Sequence, residues 1–219
     1  MKIYRYYAEN EKNRDIYWSL EGNKNPPANA PTPPMAGNDD NNVVFTANNQ
    51  IYFYSEVNRP KNLELNKKIV SIGNSLLNRN NALNVTETPP IQLHINSYGG
   101  SVFAGLSSVD YILNSKVPVH SIIDGCAASA ATIMSVVAEK RFMHKHSFML
   151  IHQLSSGMWG NYESLKDEMQ NCDLLMEKIK EIYEENTEIP KKKLSQILKR
   201  DLWFDADTCL EYGLVDEII

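Results

Sequence analysis

The sequence has few cysteines, no long apolar run and no long basic run, and each shortage closes off a class of function. Its three cysteines, Cys126, Cys172 and Cys209, are odd in number and lack metal-type or C-x-x-C spacing. That disfavours a disulfide-stapled secreted scaffold and a thiolate metal centre, and reduced thiols in a cytoplasmic compartment are expected. No apolar stretch approaches the ~18 to 20 residues that cross a bilayer as a helix. The opening M-K-I-Y-R-Y-Y has charge but no apolar region behind it, so no secretory signal is expected. Lys and Arg number 22 against 27 Asp and Glu, a net charge of −5. This balance argues against nucleic acid and anionic membranes as partners.

What is present suits one domain with a real core, carrying a tail. Residues 1–20 mix Tyr4, Tyr6, Tyr7, Tyr17 and Trp18 with charges, a strand or hairpin that needs a partner surface. Glu21 to Asn42 holds five of the ten prolines among asparagine and glycine, the composition of a linker or mobile loop. A tail over 1–42 and a packed domain over 43–219 are therefore expected.

From Val43 the pattern alternates. Val43 to Phe45 and Ile51 to Tyr54 read as short strands. Leu65, Ile69, Ile72 and Leu76 trace one face of a helix, and Asn78 to Pro90 reads as a polar loop. Ile91 to Ile95 predicts a strand leading into N-S-Y-G-G-S-V, Asn96 to Val102. Leu106, Val109, Ile112 and Leu113 mark a second helix, and Val117 to Ile123 a buried strand ending at Asp124-Gly125. Phe148 to Ile151 is a further strand, and Tyr162 to Tyr183 a long amphipathic helix of about six turns. Pro190 opens a basic helix, Asp205 caps a last short one that Gly213 ends, and Leu214-Val215 forms a closing strand. This rhythm predicts an α/β fold of repeated β-α-β units with a mostly parallel sheet. Sites in such sheets form beyond the carboxyl ends of strands.

The chemistry is concentrated in G-C-A-A-S-A-A, Gly125 to Ala131. A serine at a strand-to-helix turn, walled by alanines, can face a cleft with a helix N-terminus directed at it. A small-residue turn that lets a helix pack closely on a sheet is the plainer alternative. Among the histidines, His152 stands at a strand's carboxyl end, where chemistry is expected. His94 and His120 read as strand residues. His144 and His146 form H-K-H in a turn, with no cysteine or carboxylate pattern to complete a metal site. Asp124 reads as a turn residue, and Asp205 and Asp207 as helix-start residues.

In order, S-Y-G-G-S-V, G-C-A-A-S-A-A, M-L-I-H-Q, K-R-D-L-W-F and C-L-E-Y-G-L-V-D resemble the proteolytic subunit of the Clp protease, ClpP, and its phage relatives, across Val43 to Ile219. The resemblance implies the ClpP/crotonase-type superfold with a protruding handle helix. It implies a serine endopeptidase with Ser129 as nucleophile, His152 as general base and Asp201 as the acid that orients it. Gly100 and Ala130 match the oxyanion-hole positions, and Gly99, Val102 and Leu154 match the edges between which the substrate lies as an added strand. No cofactor or metal is implied, because this chemistry requires none. The partners implied are a peptide or unfolded protein substrate, further copies in a heptameric ring or two stacked rings, and a Clp-type ATPase.

The chain departs from the family in having Tyr98 and Leu154 where proline is usual, and a proline-asparagine tether in place of an apolar N-terminal start. Tyr98 bears on the oxyanion turn, Leu154 on the substrate edge, and the N-terminal tether weakens the expectation of pairing with an ATPase. Three competing readings are a phage head-maturation protease of the same fold, a crotonase-like acyl-CoA enzyme, and an inactive ring or scaffold. The complete Ser-His-Asp set disfavours the last two.

Overall fold

In the first hairpin, Val43–Ala47 (β1) and Gln50–Tyr54 (β2) pair antiparallel around Asn48, whose φ of 56° lies where asparagine is among the few tolerated side chains. The computed structural model describes residues 43–219, so the expected N-terminal hairpin, the proline-rich linker and the tail boundary lie outside the described residues. The described residues divide into two compact units, Leu154–Met176 and the remainder, 43–153 with Glu177–Ile219.

The larger unit is built on a sheet whose strands are ordered β1-β2-β3-β4-β5-β8. Ile91–Ser97 (β3), Val119–Ala128 (β4), Lys140–Met143 (β5) and Glu217–Ile218 (β8) run parallel to β2. Phe148–Leu150 (β6) pairs parallel with β4, and Trp203–Phe204 (β7) antiparallel with β6. Strict alternation along β3 buries Ile91, Leu93 and Ile95 and leaves Gln92 and His94 on the other face. The predicted closing strand at Leu214-Val215 falls three residues later. Those two side chains are buried, and the ladder is made instead by Glu217–Ile218.

Arg59–Leu83 (α1) follows β2, Val102–Leu113 (α2) follows β3, and Ala130–Val136 (α3) follows β4. Asn58 caps α1 by accepting from the Lys61 N–H, and Asn84 ends it in the left-handed region at φ 52°. The predicted loop from Asn78 is thus helical to Leu83. Buried Asn80, which broke the apolar pattern, donates to the Glu87 carbonyl and the Thr88 hydroxyl and ties the helix end to the strand approach. A polar seam joins α1 and α2. Asn62 donates to Ser108, which donates to Asn66. Tyr162–Asn186 (α4), Lys191–Ile197 (α5) and Ala206–Glu211 (α6) complete the helices among the described residues. The buried residues of α4, Ile179, Ile182 and Tyr183, all fall at its C-terminal end. No helix among the described residues is long and apolar enough to cross a membrane.

β4 does not end at Asp124-Gly125 as the sequence suggested. It bends there. While β3 advances two residues from Ile95 to Ser97, β4 advances four from Ile123 to Ala127. The strand also changes neighbour, pairing β5 through Ile123 and β6 from Cys126. Gly125 takes φ 85°, and buried Ser147 bridges the bulge by accepting from the Gly125 N–H and donating to the Ile123 carbonyl.

Asp124 is correspondingly a strand residue rather than a turn residue. Its carboxylate accepts from Tyr54 Oη at 2.7 Å and from His94 Nδ1 at 2.8 Å, with His144 Nε2 3.1 Å from its other oxygen. Burial works to raise its pKa, but the hydrogen bonds from His94 and Tyr54 and the two nearby imidazoles outweigh burial and hold it below the ordinary value. A lowered carboxyl pKa stabilises the fold in full above about pH 4 and loses that contribution as pH falls through the lowered value. Asp124→Asn is expected to cost about 1 to 3 kcal/mol at pH 7 and to flatten the acid limb of stability. Urea unfolding of both proteins between neutral and acid pH checks this. Parallel stability curves would contradict it.

Candidate active site

Ser129 sits between β4 and α3 with φ 55° and ψ −127°, a conformation non-glycine residues rarely adopt. Such strain costs about 1 to 3 kcal/mol and persists only where surroundings over-determine it. They do so here. The Ser129 N–H donates to the Leu150 carbonyl at 2.9 Å, and the Ser129 carbonyl accepts from the Thr132 N–H at 2.9 Å and the Thr132 hydroxyl at 2.6 Å. Ala127, Ala128, Ala130 and Ala131 are buried on either side, and the half-buried Ser129 side chain makes no capping bond to its own helix. The hydroxyl is left for other chemistry.

The same strand pairings bring a base and an acid to this turn. β6 lies beside β4 with Ala128 opposite Leu150, so His152, two residues on, falls next to the turn. β7 pairs antiparallel with Leu150 opposite Trp203, and extending that register by two residues sets Asp201 opposite His152. The Gln153 N–H donates to the Leu198 carbonyl at 2.7 Å and holds the two segments together. His152 Nδ1 lies 3.3 Å from Asp201 Oδ1. The histidine side chain is 23 % exposed and the aspartate 69 %. A surface ion pair of this kind contributes little to stability.

Opposite Ser129 runs the glycine turn after β3. Gly99 has φ 94°, and a Cβ there would meet the Ala128 carbonyl at 2.5 Å and Ser129 Cβ at 2.7 Å. Gly100 has φ 142°, and a Cβ would lie 2.4 Å from the Val57 carbonyl. Val57 straps this turn, donating to the Gly99 carbonyl at 2.8 Å and accepting from the Ser101 N–H at 2.7 Å. Because Ser101 faces Val57, the amide of Gly100 is directed to the opposite edge, in the manner of alternating strand residues. Ala130, first residue of α3, carries an N–H that its helix cannot satisfy.

Gly99 thus abuts Ser129 and Ala130, while His152 and Asp201 face each other at the ends of the paired strands that flank the Ser129 turn. Val102 opens α2 directly after the glycine turn, where Ser101 caps the helix by accepting from the Ala104 N–H. Leu154 begins the smaller unit, with its N–H directed at Met176 Sδ, 3.1 Å away. Tyr98, in place of the family's usual proline, is exposed and meets Trp203 edge to face at 6.4 Å. Asp205 is spent capping α6, accepting from the Thr208 N–H at 3.0 Å. Burial pushes the Cys209 thiol up to about 12, which makes it a packing residue. Two participants escaped the sequence reading. Val57 carries no pattern at all, whereas Thr132 stands three residues after Ser129, a spacing that suits a side-chain bond back to a turn carbonyl. Among the described residues no group of three or more His, Cys, Asp or Glu side chains is arranged to hold a metal ion.

Comparison with known proteins gives a consistent result. The family described as Clp protease matches residues 47–219. The ATP-dependent Clp protease proteolytic subunit 2 of Treponema denticola is 34% identical over 185 residues, covering 83% of this chain and 88% of that one. The proteolytic subunit of Deinococcus radiodurans is 34% identical over 131 residues, 59% of this chain and 64% of its own length. Among solved structures, a point mutant of ClpP1 from Listeria monocytogenes superposes with a TM-score of 0.68 at 26% identity, over 78% of this chain and 91% of that one.

Proposed function

The chain belongs to the Clp protease family of serine-type endopeptidases, and from that premise we propose that it hydrolyses peptide bonds through Ser129, His152 and Asp201. The observation that supports this reading is a strained serine after β4, together with a histidine after the neighbouring strand β6 whose Nδ1 faces a carboxylate at 3.3 Å. A serine hydroxyl is a weak nucleophile until an imidazole accepts its proton. His152 takes that proton through Nε2 as Ser129 Oγ attacks the peptide carbonyl. Asp201 holds the Nδ1–H tautomer and stabilises the imidazolium. The proton then passes to the leaving amine, and water repeats the sequence on the acyl-enzyme. The oxyanion is received by the N–H groups of Gly100 and Ala130, preorganised donors of the type that dominate such catalysis.

The substrate is a peptide or unfolded protein, laid as an added strand along the edge that Gly99, Gly100 and Val102 present, and the family resemblance assigns Leu154 to substrate binding as well. Recognition of this kind is mostly backbone to backbone, which gives modest sequence preference. The enzyme works as a homo-oligomeric ring, heptameric and single or stacked, in the cytoplasm, and a Clp-type ATPase is the partner that would feed it. The exposed Asp201, with its loose hold on His152, supports a requirement for neighbouring copies to order the site. No cofactor takes part.

A fluorophosphonate probe tests this. The assembled full-length protein is expected to take up one adduct per chain, located at Ser129 by peptide mapping, with reactivity confined to the oligomer on size exclusion. An oligomer that takes up no adduct, or one mapped elsewhere, overturns the reading.

A further inference from the structure

Ser129 is anchored by a side chain that the catalytic scheme does not use. Tyr183, near the C-terminal end of α4, is 1% exposed, and its phenol oxygen lies 2.5 Å from Thr132 Oγ1. The Thr132 oxygen in turn lies 2.6 Å from the Ser129 carbonyl. The direction of this relay follows from proton counting. A carbonyl can only accept, so the single hydroxyl proton of Thr132 goes to Ser129, and the Thr132 oxygen must then accept from Tyr183. Burial raises the Tyr183 pKa far above its ordinary value, so the donor is present at any working pH.

The Ser129 carbonyl and the Ala130 N–H belong to one planar trans peptide, and point in opposite directions. Fixing the carbonyl therefore aims the amide. We infer that Tyr183 is a positioning residue which, through Thr132, sets both the strained backbone of Ser129 and the direction of the Ala130 N–H. The inference rests on the reading of Ser129 as nucleophile and Ala130 as oxyanion donor. It accounts for a tyrosine where phenylalanine would fill the same core volume. It also accounts for a threonine, buried with no exposed surface, in the first turn of a helix whose other buried residues, Ser135 aside, are alanine, isoleucine, methionine and valine. The relay is neutral throughout, so it adds geometry without charge, and each bond polarises the next.

The test is the rate of fluorophosphonate labelling, read separately from its endpoint, in the assembled full-length protein and in Tyr183→Phe, Thr132→Val and Thr132→Ser. Misaiming a donor is expected to slow labelling on the order of 10-fold in Tyr183→Phe and Thr132→Val, less than the ~100-fold or more that follows loss of a donor. In both variants labelling still reaches the wild-type endpoint, kcat falls with KM unchanged, and the pH at half-maximal rate stays where it is. Thr132→Ser keeps the hydroxyl and labels at close to the wild-type rate. The double variant is no slower than Thr132→Val alone, because both changes break one relay.

Wild-type rates in Tyr183→Phe and Thr132→Val overturn the inference. So does a lowered endpoint with an unchanged rate, which marks a folding defect, or a Thr132→Ser protein as slow as Thr132→Val. Absence of labelling in the wild-type oligomer is a different result. It overturns the reading of Ser129 itself, and the inference with it.

Discussion

Ser129→Ala is expected to lower peptide hydrolysis by on the order of 10⁴- to 10⁶-fold, with the urea midpoint close to that of the wild type. The fold should tolerate the change because the Ser129 side chain makes no capping bond, and the backbone bonds that hold the turn come from Leu150 and Thr132. Alanine at φ 55° bears the same strain as serine. His152→Ala should fall nearly as far, since the two groups act as one unit and their losses do not add. Asp201→Asn should cost less, on the order of 10² to 10⁴-fold. Its carboxylate is largely exposed and stands 3.3 Å from the imidazole, so solvent already shares the work of stabilising the imidazolium. Steady-state hydrolysis of a fluorogenic peptide by the four purified oligomers decides the matter. Ser129→Ala activity within tenfold of wild type would remove the serine from the mechanism.

Gly99→Ala should be among the most damaging single-methyl changes in the described residues. It places an L side chain at φ 94° and pushes its Cβ to 2.5 Å from the Ala128 carbonyl and 2.7 Å from Ser129 Cβ. Neither is the end of a flexible side chain, so relief requires movement of one of the two turns that make the site. The expected cost is about 2 to 4 kcal/mol of stability, with hydrolysis reduced at least ~100-fold through displacement of the nucleophile. Gly157→Ala is the control, because a Cβ there has nothing within 4 Å. Equal urea midpoints and equal kcat/KM for the two variants would show that the Gly99 turn can open without cost.

Much of this was legible in the sequence, for identifiable reasons. Apolar spacing of four, three and four residues marked α1, and a sustained stripe marked α4 to within a few residues. A serine among alanines between an apolar strand and an apolar helix marked the turn. What escaped was decided by contacts between distant parts of the chain. Asp124-Gly125 has the composition of a turn, but a bulge uses the same residues. Only the partners Tyr54, His94 and Ser147 show that the strand continues. Local spacing could not choose Asp201 over Asp205. The register of β7 against β6 sets Asp201 opposite His152, and Asp205 is occupied in capping α6. Tyr183 read as one more apolar position in a stripe, because a helical pattern records which face is buried and not what a hydroxyl on that face will meet.

The pairing of β6 with β7 has a consequence for how the enzyme comes into being. The Ser129 turn is complete in sequence by residue 132, yet the proposed base, His152, pairs with Asp201, and the Ser129 carbonyl is tied through Thr132 to Tyr183. The sheet edge is closed only when Glu217–Ile218 joins β5 and Arg141 receives Asp216. A ribosome-bound chain therefore carries Ser129 while residues 130–201 are still being made, without the groups proposed to activate it. Contacts of such long sequence separation also form late in folding. Under the proposed mechanism, the order in which the parts are made keeps the serine of a nascent chain unactivated until Asp201 is in place.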